Sequence, residues 1–239
     1  MSAIERLRGK RVVVSAGPTY EDIDPVRFIG NRSSGKMGFA VAQSAARLGA
    51  QVVLVAGPVS LPTPEGVTRI DVRSAAQMHE AVLSQLPADV YIGAAAVADF
   101  APAQAASNKI KKTAGQDTLN LMLVRTRDIL ADIAAHPQRP RLVVGFAAET
   151  DHVEAYARGK LENKRLDLIA ANRVGVSQRF RKRRQHAGGL YRRWREPRTW
   201  PGAENRAGRR PAPSDRATPS RLTRLARCLR LLSAALAPV

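Results

Sequence analysis

Ile29-Gly-Asn-Arg-Ser-Ser-Gly-Lys-Met-Gly38 is the stretch that decides the fold of this chain. It follows a strand-like run, Arg11-Val-Val-Val-Ser-Ala16, and it opens a helical pattern of small residues that extends from Phe39 to Leu48. Glycine and serine at the start of a helix leave backbone N–H groups facing a possible anion, with the positive end of the helix dipole behind them. The stretch therefore predicts a strand–helix unit with a phosphate or carboxylate site.

The residues before Arg179 repeat this alternation of strand and helix. Apolar strand-like runs occur at 11–15, 51–56, 68–71, 90–94, 141–147 and 168–171, and helical patterns at 37–48, 75–86, 128–135 and 152–163. Strands that are apolar throughout and alternate with helices predict a parallel sheet covered on both faces. We predict one α/β domain over residues 1–178, a doubly wound, Rossmann-like, mostly parallel sheet with ligands at the carboxyl ends of its strands.

Residues 101–121 interrupt the alternation. An Ala/Gln/Ser segment is followed there by Asn108-Lys-Ile-Lys-Lys112 and a polar turn. Long loops at the ligand edge of an α/β fold are often lids, so we predict a hairpin-like flap over the active site. A solvated face is the ordinary explanation for Lys109, Lys111 and Lys112. The alternative is a lysine on a mobile arm that neutralises a triphosphate as the arm closes.

The net charge of +19 is unevenly distributed along the 239 residues. Residues 179–239 hold 17 of the 39 Lys and Arg residues and 3 of the 20 Asp and Glu residues, a net +14, which leaves +5 for residues 1–178. Most of this tail shows neither the helical nor the strand period. We predict a basic, disordered tail that arises from a shifted reading frame. An RNA- or DNA-binding arm without sequence specificity is the alternative.

Two further observations limit the class of protein. No apolar run reaches the length of a membrane span, and the first residues lack the apolar stretch of a signal peptide. The single cysteine, Cys228, excludes an internal disulfide framework and fits a reducing compartment. We therefore expect a cytoplasmic protein without a membrane partner.

Single polar or aromatic side chains follow small residues at the ends of several predicted strands. Asp99 comes after a run of alanines. One prediction is that it binds a ribose hydroxyl or an exocyclic amine, and the alternative is that it caps a helix. Phe146 either stacks on a base or belongs to the core. Lys160 and Lys164 lie one helical turn apart, so they bind adjacent phosphates or belong to an ordinary charged helix face.

Other chemistries have less support. The first βα turn, Ser15-Ala-Gly-Pro-Thr19, is not the Gly-x-Gly-x-x-Gly of a dinucleotide fold, which weighs against the alternative of an NAD(P)-dependent oxidoreductase. His136 and His152 lack partners at metal-ligand spacing. No Ser/His/Asp or Cys/His pattern is present, so the sequence does not support covalent catalysis by the protein.

Together these segments resemble the phosphopantothenate–cysteine ligases (phosphopantothenoylcysteine synthetases), the C-terminal half of a bifunctional bacterial protein of coenzyme A biosynthesis. The resemblance extends from about Gly9 to Gln178. The motifs that carry it, in chain order, are Ala16-Gly-Pro-Thr19, Asp24-Pro-Val-Arg27, Asn31-Arg-Ser-Ser-Gly-Lys-Met-Gly38, Gly57-Pro-Val-Ser-Leu-Pro62, Ala95-Ala-Val-Ala-Asp99, Lys109-Ile-Lys-Lys112, Val144-Gly-Phe-Ala-Ala-Glu-Thr150 and Leu166-Asp-Leu-Ile-Ala-Ala-Asn172.

The resemblance implies a ligation in two steps. CTP activates the carboxylate of 4′-phosphopantothenate as an acyl-cytidylate and releases pyrophosphate, and the amine of L-cysteine then attacks and releases CMP. Mg²⁺ accompanies the triphosphate, and a homodimer with active sites near the subunit interface is implied. Flavin is not expected, because the flavin-dependent decarboxylase of bifunctional relatives precedes this region and Met1 lies just before it.

The resemblance also implies roles for individual residues. Asn31 and Lys109 are the catalytic candidates: Asn31 binds the acyl intermediate and donates its amide to developing charge, and Lys109 closes over the reacting centre. Ser33, Ser34 and Gly35 bind the phosphate or carboxylate of the substrate. The implied nucleotide-binding residues are Asp99, Lys109, Arg127, Asp128, Ile129, Leu130, Phe146, Lys160 and Lys164. Metal ligands are left unassigned.

The chain departs from the family pattern at two places. Thr126-Arg127 stands where many relatives have Asn-Pro. After Ser177-Gln178 the family continues with an acidic strand, whereas this chain continues with arginines. Arg181-Lys-Arg-Arg-Gln-His186 can be encoded by codons that, read in a shifted frame, give Glu-Ser-Glu-Asp-Asn, which is the kind of sequence found in the family. We therefore hypothesise a frameshift near residue 180 that removes the closing strands of the sheet. Sequencing the gene across these codons tests this hypothesis.

Overall fold

Strands and helices alternate along the protein, for which a computed structural model describes residues 7–112, 115, 117–149, 152–173 and 190–192. The strands are β1 (Arg11–Ala16), β2 (Tyr20–Asp22), β3 (Phe28–Gly30), β4 (Gln51–Ala56), β5 (Val67–Asp71), β6 (Val90–Gly93), β7 (Phe100–Pro102), β8 (Leu123–Arg125), β9 (Leu142–Glu149), β10 (Leu168–Arg173) and β11 (Leu190–Arg192). The helices are α1 (Lys36–Arg47), α2 (Ala75–Leu83), α3 (Ile129–Ala135) and α4 (Val153–Asn163).

The main sheet has the strand order β11-β10-β9-β6-β1-β4-β5. All neighbours from β10 to β5 are parallel, and β11 is antiparallel to β10. The chain winds outward from β1 to β5, returns to the centre at β6 and winds the other way to β10. This is the order of a doubly wound fold, with its reversal between β1 and β6. The predicted fold class is confirmed.

Apolar side chains on both faces of the sheet explain why its strands are apolar throughout. In β1, Val12 and Val14 belong to the cluster that contains the α1 residues Val41 and Ala42. Val13 belongs to the opposite cluster, which includes Met78 of α2 and residues of α3 and α4. The residues of β1 therefore meet helices on both faces of the sheet, as expected for a parallel sheet between helical layers.

The boundaries of most elements agree with the predicted ones to within two residues. The exception is α2, which begins as predicted at Ala75 but ends at Leu83 rather than Leu86. Ser74 caps its first turn in a capping box with Gln77. From Gln85 the backbone N–H groups donate to carbonyls three residues back, which ends the regular helix.

Two short antiparallel ribbons project from the main sheet. β2 and β3 form a hairpin, with Tyr20 opposite Gly30. β7 and β8 pair with Phe100 opposite Arg125. The flap (residues 101–121) begins within β7 and ends just before β8. The predicted hairpin-like excursion is therefore present at its base. No helix in the described part of the protein is long and apolar enough to cross a bilayer.

β11 lies inside the segment that was predicted to be a disordered tail. Leu190–Arg192 pair with β10, and Tyr191 is opposite Ile169. The edge of β10 offers backbone groups to which these three residues add as a strand. The domain boundary at residue 178 and the disorder of the tail stay predictions. The remaining residues of the predicted tail, 179–189 and 193–239, lie outside the described residues.

Candidate active site

The carboxyl ends of β1 and β6 lie side by side where the winding of the sheet reverses. Val14 is opposite Ile92, and Ser15 is opposite Gly93. The pairing continues beyond the strands, because the Ala96 N–H donates to the Gly17 carbonyl at 2.8 Å. Ligands of doubly wound proteins bind in the crevice outside such a reversal point. The candidate site is therefore at this edge of the sheet.

The N-terminus of α1 lies directly over the end of β1. Gly38 permits this approach, because a Cβ atom on residue 38 would collide with the Cβ of Ala16. Gly35 precedes the helix with a φ of 73°, in the left-handed region, and its N–H donates to the Ser33 hydroxyl at 3.3 Å. Among the described residues no side chain caps this helix. Its first-turn N–H groups and positive dipole end suit a bound anion.

Asn31 connects the loop before α1 to the segment after β6. Its Nδ2 donates to the carbonyls of Ala96 at 3.1 Å and Val97 at 3.0 Å. Both amide hydrogens are therefore engaged with backbone oxygens. The predicted donation to charge that develops on a substrate requires one of these two bonds to be exchanged. In this arrangement Asn31 positions two loops of the site against each other.

Asp99 is exposed at the end of that same segment. Thr126 fixes the backbone beside it, because its N–H donates to the Asp99 carbonyl at 3.1 Å and its hydroxyl to the Ala98 carbonyl at 2.6 Å. The Ala98 N–H in turn donates to the Thr19 hydroxyl at 2.9 Å. Strand β7 follows Asp99 directly, so the alternative of a helix-capping aspartate is wrong.

The residues from Arg127 to Leu130 continue away from Asp99 along the second face of the sheet. Asp128 caps α3 by accepting a hydrogen bond from the Ala131 N–H at 3.1 Å. Ile129 is buried in the core, whereas Arg127 is exposed. Leu130 packs over the strand glycines, so that a Cβ atom on Gly93 would lie 3.0 Å from its Cδ2. Ile129 therefore contributes packing rather than a surface for the nucleotide.

The two candidate lysines of α4 differ in their surroundings. The Lys164 ammonium lies 2.7 Å from the Asp128 carboxylate, so its charge is already paired. Lys160 is half-buried one turn earlier on the same helix. A phosphate that binds Lys164 must therefore compete with Asp128. The pair joins the end of α4 to the start of α3, two elements that the predicted nucleotide site includes.

Phe146 lies on the opposite face of the sheet from Leu130. It is partly buried and packs against the cluster that contains α1 residues. Leu130 packs against the other cluster. Much of the Phe146 ring therefore belongs to the core, and the exposed remainder lies on the α1 side of the sheet.

Besides Arg127, Ile129 and Phe146, which are described above, the predicted residues fall into three places. Asn31, Ser33, Ser34, Gly35 and Asp99 lie around the reversal point. Asp128, Leu130, Lys160 and Lys164 lie on the side of α3 and α4. Lys109 is exposed on the flap, next to Ile110, which is bound to the β2–β3 hairpin. Asn31, Ser33, Ser34 and Gly35 precede the helix N-terminus directly, and the segment that Asn31 holds leads to Asp99.

Sequence reasoning assigned no role to Asp24, which the structure shows to be a buried carboxylate with four hydrogen-bond donors. This side chain is only 1% exposed, and burial by itself would raise its pKa. Hydrogen bonds from the N–H groups of Val26, Ile110 and Arg27, together with the Arg27 guanidinium, nevertheless hold the pKa of Asp24 below its ordinary value of 3.8. The available signal was the Asp-Pro-x-x pattern, in which an aspartate binds backbone N–H groups that follow it.

An open groove of about 720 Å³ lies at the β5 edge of the sheet beside α2, and Val59, one of its lining residues, packs against Gly35. Its charged side chains include Arg69 and Arg73, and it contains none of the predicted site residues. Arg69 pairs with Asp71 at 2.6 Å, and Arg73 pairs with Asp22 at 2.6 Å. Because these guanidinium groups already have carboxylate partners, we place the site at the reversal point instead.

The fold and the candidate site together define a doubly wound α/β protein with a candidate anion site at its reversal point. The chain belongs to the family of C-terminal domains of DNA/pantothenate metabolism flavoproteins, whose model matches residues 7–207. This membership confirms the family resemblance that was inferred from the motifs.

Individual relatives agree with this assignment. The chain is 55% identical over 171 residues to the coenzyme A biosynthesis bifunctional protein CoaBC of Vibrio parahaemolyticus, which covers 71% of this chain and 43% of that protein. It is 52% identical over 175 residues to CoaBC of Escherichia coli, with 72% and 43% covered. The chain thus spans less than half the length of these relatives.

Among solved structures, the chain is similar to the crystal structure of the C-terminal domain of CoaBC. The TM-score is 0.61 and the identity is 45%, and the alignment covers 70% of this chain and 79% of that domain. The similarity is therefore to the C-terminal part of the bifunctional relatives.

Proposed function

We propose that this chain is a phosphopantothenate–cysteine ligase of coenzyme A biosynthesis, which uses CTP and forms an acyl-cytidylate intermediate. One observation carries the proposal: Asn31, the uncapped start of α1 and the segment after β6 converge at the reversal point. This convergence occurs in a chain that is 55% identical to CoaBC over 171 residues.

In the first step, a carboxylate oxygen of 4′-phosphopantothenate attacks the α-phosphorus of CTP, and the bond to pyrophosphate breaks. The start of α1, with Ser33, Ser34 and Gly35, suits the phosphate of the acid substrate, because backbone N–H groups and the helix dipole both favour an anion. Asp99 is exposed beside it, where its carboxylate accepts hydrogen bonds from the cytidine. Lys109 neutralises charge on the triphosphate as pyrophosphate leaves.

In the second step, the amine of L-cysteine attacks the acyl carbonyl, and the bond to CMP breaks. The amine loses a proton as the amide forms, and negative charge develops on the carbonyl oxygen before CMP leaves. Asn31 keeps the loop before α1 in place during this step through its bonds to Ala96 and Val97. Release of one of these bonds would make an amide hydrogen available to the developing charge.

Mg²⁺ enters this scheme as part of the nucleotide substrate. Within the described residues, no group of three or more His, Cys, Asp and Glu side chains is arranged to hold a metal ion. Mg²⁺ sites in phosphoryl-transfer enzymes ordinarily use one or two carboxylates together with substrate phosphates and water. We further propose a cytoplasmic location.

The exposed apolar side chains of the two ribbons support a homodimer. On and beside β7 and β8, Met122 is 78% exposed and Phe100 is 48% exposed, and on the β2–β3 hairpin Val26 is 60% exposed. Apolar surface of this kind, rimmed by polar residues, marks an interaction site. A second copy of this chain that covers the ribbons would place the subunit interface beside the flap.

A product assay tests the proposed function. Pyrophosphate should form from CTP only when 4′-phosphopantothenate is present, and CMP should form only after L-cysteine is added. ATP in place of CTP tests the nucleotide preference. The assay should be run on this chain and on a version with the restored reading frame after residue 180. Pyrophosphate that appears without the acid substrate would contradict the proposal.

A further inference from the structure

The β2–β3 turn contains a buried carboxylate to which the reaction scheme assigns no chemical step. Asp24 is 1% exposed. Its Oδ1 accepts hydrogen bonds from the N–H groups of Val26 and Arg27, both at 2.8 Å. Its Oδ2 accepts from the Arg27 guanidinium at 2.9 Å and from the Ile110 N–H at 3.1 Å. One carboxylate therefore joins the turn to the flap, across a sequence separation of 86 residues.

Ile110 is bound through both polar groups of its backbone. Its N–H donates to Asp24, and its carbonyl accepts from Arg27 Nη2 at 3.3 Å. A third contact reinforces the docking, because the Ala106 N–H donates to the Ile23 carbonyl at 2.9 Å. We call Asp24, Arg27 and Ile110 the flap clamp. Lys109 is the residue immediately before the clamped position, so the clamp restricts where its side chain reaches.

The hairpin that carries the clamp is itself fixed to the body of the protein. Glu21 is buried and accepts a hydrogen bond from the Ala75 N–H, at the start of α2, at 2.9 Å. The Tyr20 N–H donates to the Arg73 carbonyl at 2.8 Å. The flap therefore docks on a rigid base rather than on another loop.

The same hairpin leads directly to Asn31. β3 ends at Gly30, and the next residue donates to the carbonyls after β6. One hairpin thus presents Asn31 through its C-terminal strand and holds the neighbour of Lys109 through its turn. The two catalytic candidates come from segments far apart in sequence, and the clamp is a direct link between them.

We propose that Asp24 is a positioning residue that holds the backbone of Ile110, and thereby Lys109, against the hairpin that also presents Asn31. The expected effect of this clamp on the reaction rate rests on the proposed ligase function. Whether the clamp exists can be tested without measuring activity. An Asp24→Asn substitution keeps the size of the side chain. It replaces one acceptor oxygen by an N–H donor, which leaves at least one of the converging donors without an acceptor.

Hydrogen exchange at single residues tests the clamp in the unsubstituted chain. After correction for intrinsic rates, we expect the Ile110 amide to exchange at least about tenfold more slowly than those of Lys109 and Lys111. Asp24→Asn should abolish this difference. Asp22→Asn, on the same hairpin but paired with Arg73, should preserve it. Equal rates for the three amides in the unsubstituted chain would overturn the proposal, even if Asp24→Asn does not fold.

A double-mutant cycle on pyrophosphate release tests whether Asp24 acts through Lys109. We expect Asp24→Asn and Lys109→Gln each to lower kcat about tenfold, with KM for 4′-phosphopantothenate changed less than about twofold. The double variant should be no slower than Lys109→Gln alone, because residues that act as a unit are not additive. Asp22→Asn should retain kcat.

Two kinetic results would overturn the inference: effects of the two substitutions that multiply, or an Asp24→Asn variant as active as Asp22→Asn. If the unsubstituted chain releases no pyrophosphate at all, the ligase function fails. In that case the exchange rate of the Ile110 amide still decides whether the clamp exists, so the two failures are distinguishable.

Discussion

Asn31 donates hydrogen bonds to two backbone carbonyls, so a negatively charged side chain at this position should disrupt the site. An Asn31→Asp substitution would place carboxylate oxygens where Nδ2 now lies 3.1 Å from the Ala96 oxygen and 3.0 Å from the Val97 oxygen. Repulsion between these oxygens should separate the two loops. We expect CMP formation to fall about 100-fold, in the range measured when one preorganised donor is removed. Asn108→Asp, at an exposed position on the flap, is the control, and full activity of Asn31→Asp would contradict the prediction.

The charge of Asp24 should also be visible in stability. Because its folded-state pKa lies below the ordinary value of 3.8, the ionised carboxylate contributes stability that is fully present above that value. This contribution is lost as the pH falls through the folded-state pKa. We expect Asp24→Asn to be less stable than the unsubstituted chain at pH 7, with the difference shrinking below about pH 3.8. Urea unfolding from pH 7 to pH 2 measures this, and a constant difference would contradict it.

At the scale of elements, the approach of α1 to β1 determines where the helix dipole acts. Gly38 is the only described position of α1 without a side chain, and a Cβ atom there would collide with Ala16. Gly38→Ala should therefore lower the free energy of unfolding by about 1–3 kcal/mol, as overpacking does. It should also weaken binding of the acid substrate, because the helix start moves away from the crevice.

Gly159→Ala provides the matched control within α4. A Cβ atom at Gly159 would meet nothing within 4 Å, so the substitution should raise the free energy of unfolding by about 0.5–1 kcal/mol. Urea unfolding of the two variants compares a crowded helix glycine with an open one. If Gly38→Ala raised the free energy of unfolding as much as Gly159→Ala does, α1 would not pack closely on β1.

At the scale of the whole molecule, the exposed apolar ribbons predict self-association. Met122 is 78% exposed, and a Met122→Lys substitution would bury a charge in the proposed subunit interface. We expect sedimentation velocity to show a dimer for the unsubstituted chain and a dissociation constant at least about tenfold weaker for the variant. Tyr156→Lys, at a 54% exposed position on α4, is the control. A monomeric unsubstituted chain would contradict the prediction.

Much of the fold followed from local pattern. Buried strands of a doubly wound sheet are apolar on both faces, so β1, β4 and β6 were recognisable from short runs of valine, isoleucine and alanine. The start of α1 was recognisable as an anion site because glycine and serine precede a helical pattern there. The family motifs added the reaction, which no periodicity contains.

Contacts between distant segments were decided by the tertiary structure alone. The sequence of the flap does not reveal that Ile110 binds Asp24, and the pattern of α4 does not reveal that Lys164 pairs with Asp128. β11 likewise depends on an edge that β10 offers. Local sequence determines which residues prefer a strand, a helix or a turn. Which donor meets which acceptor depends on the packing of whole elements, because a carboxylate binds any N–H group that the fold brings within reach.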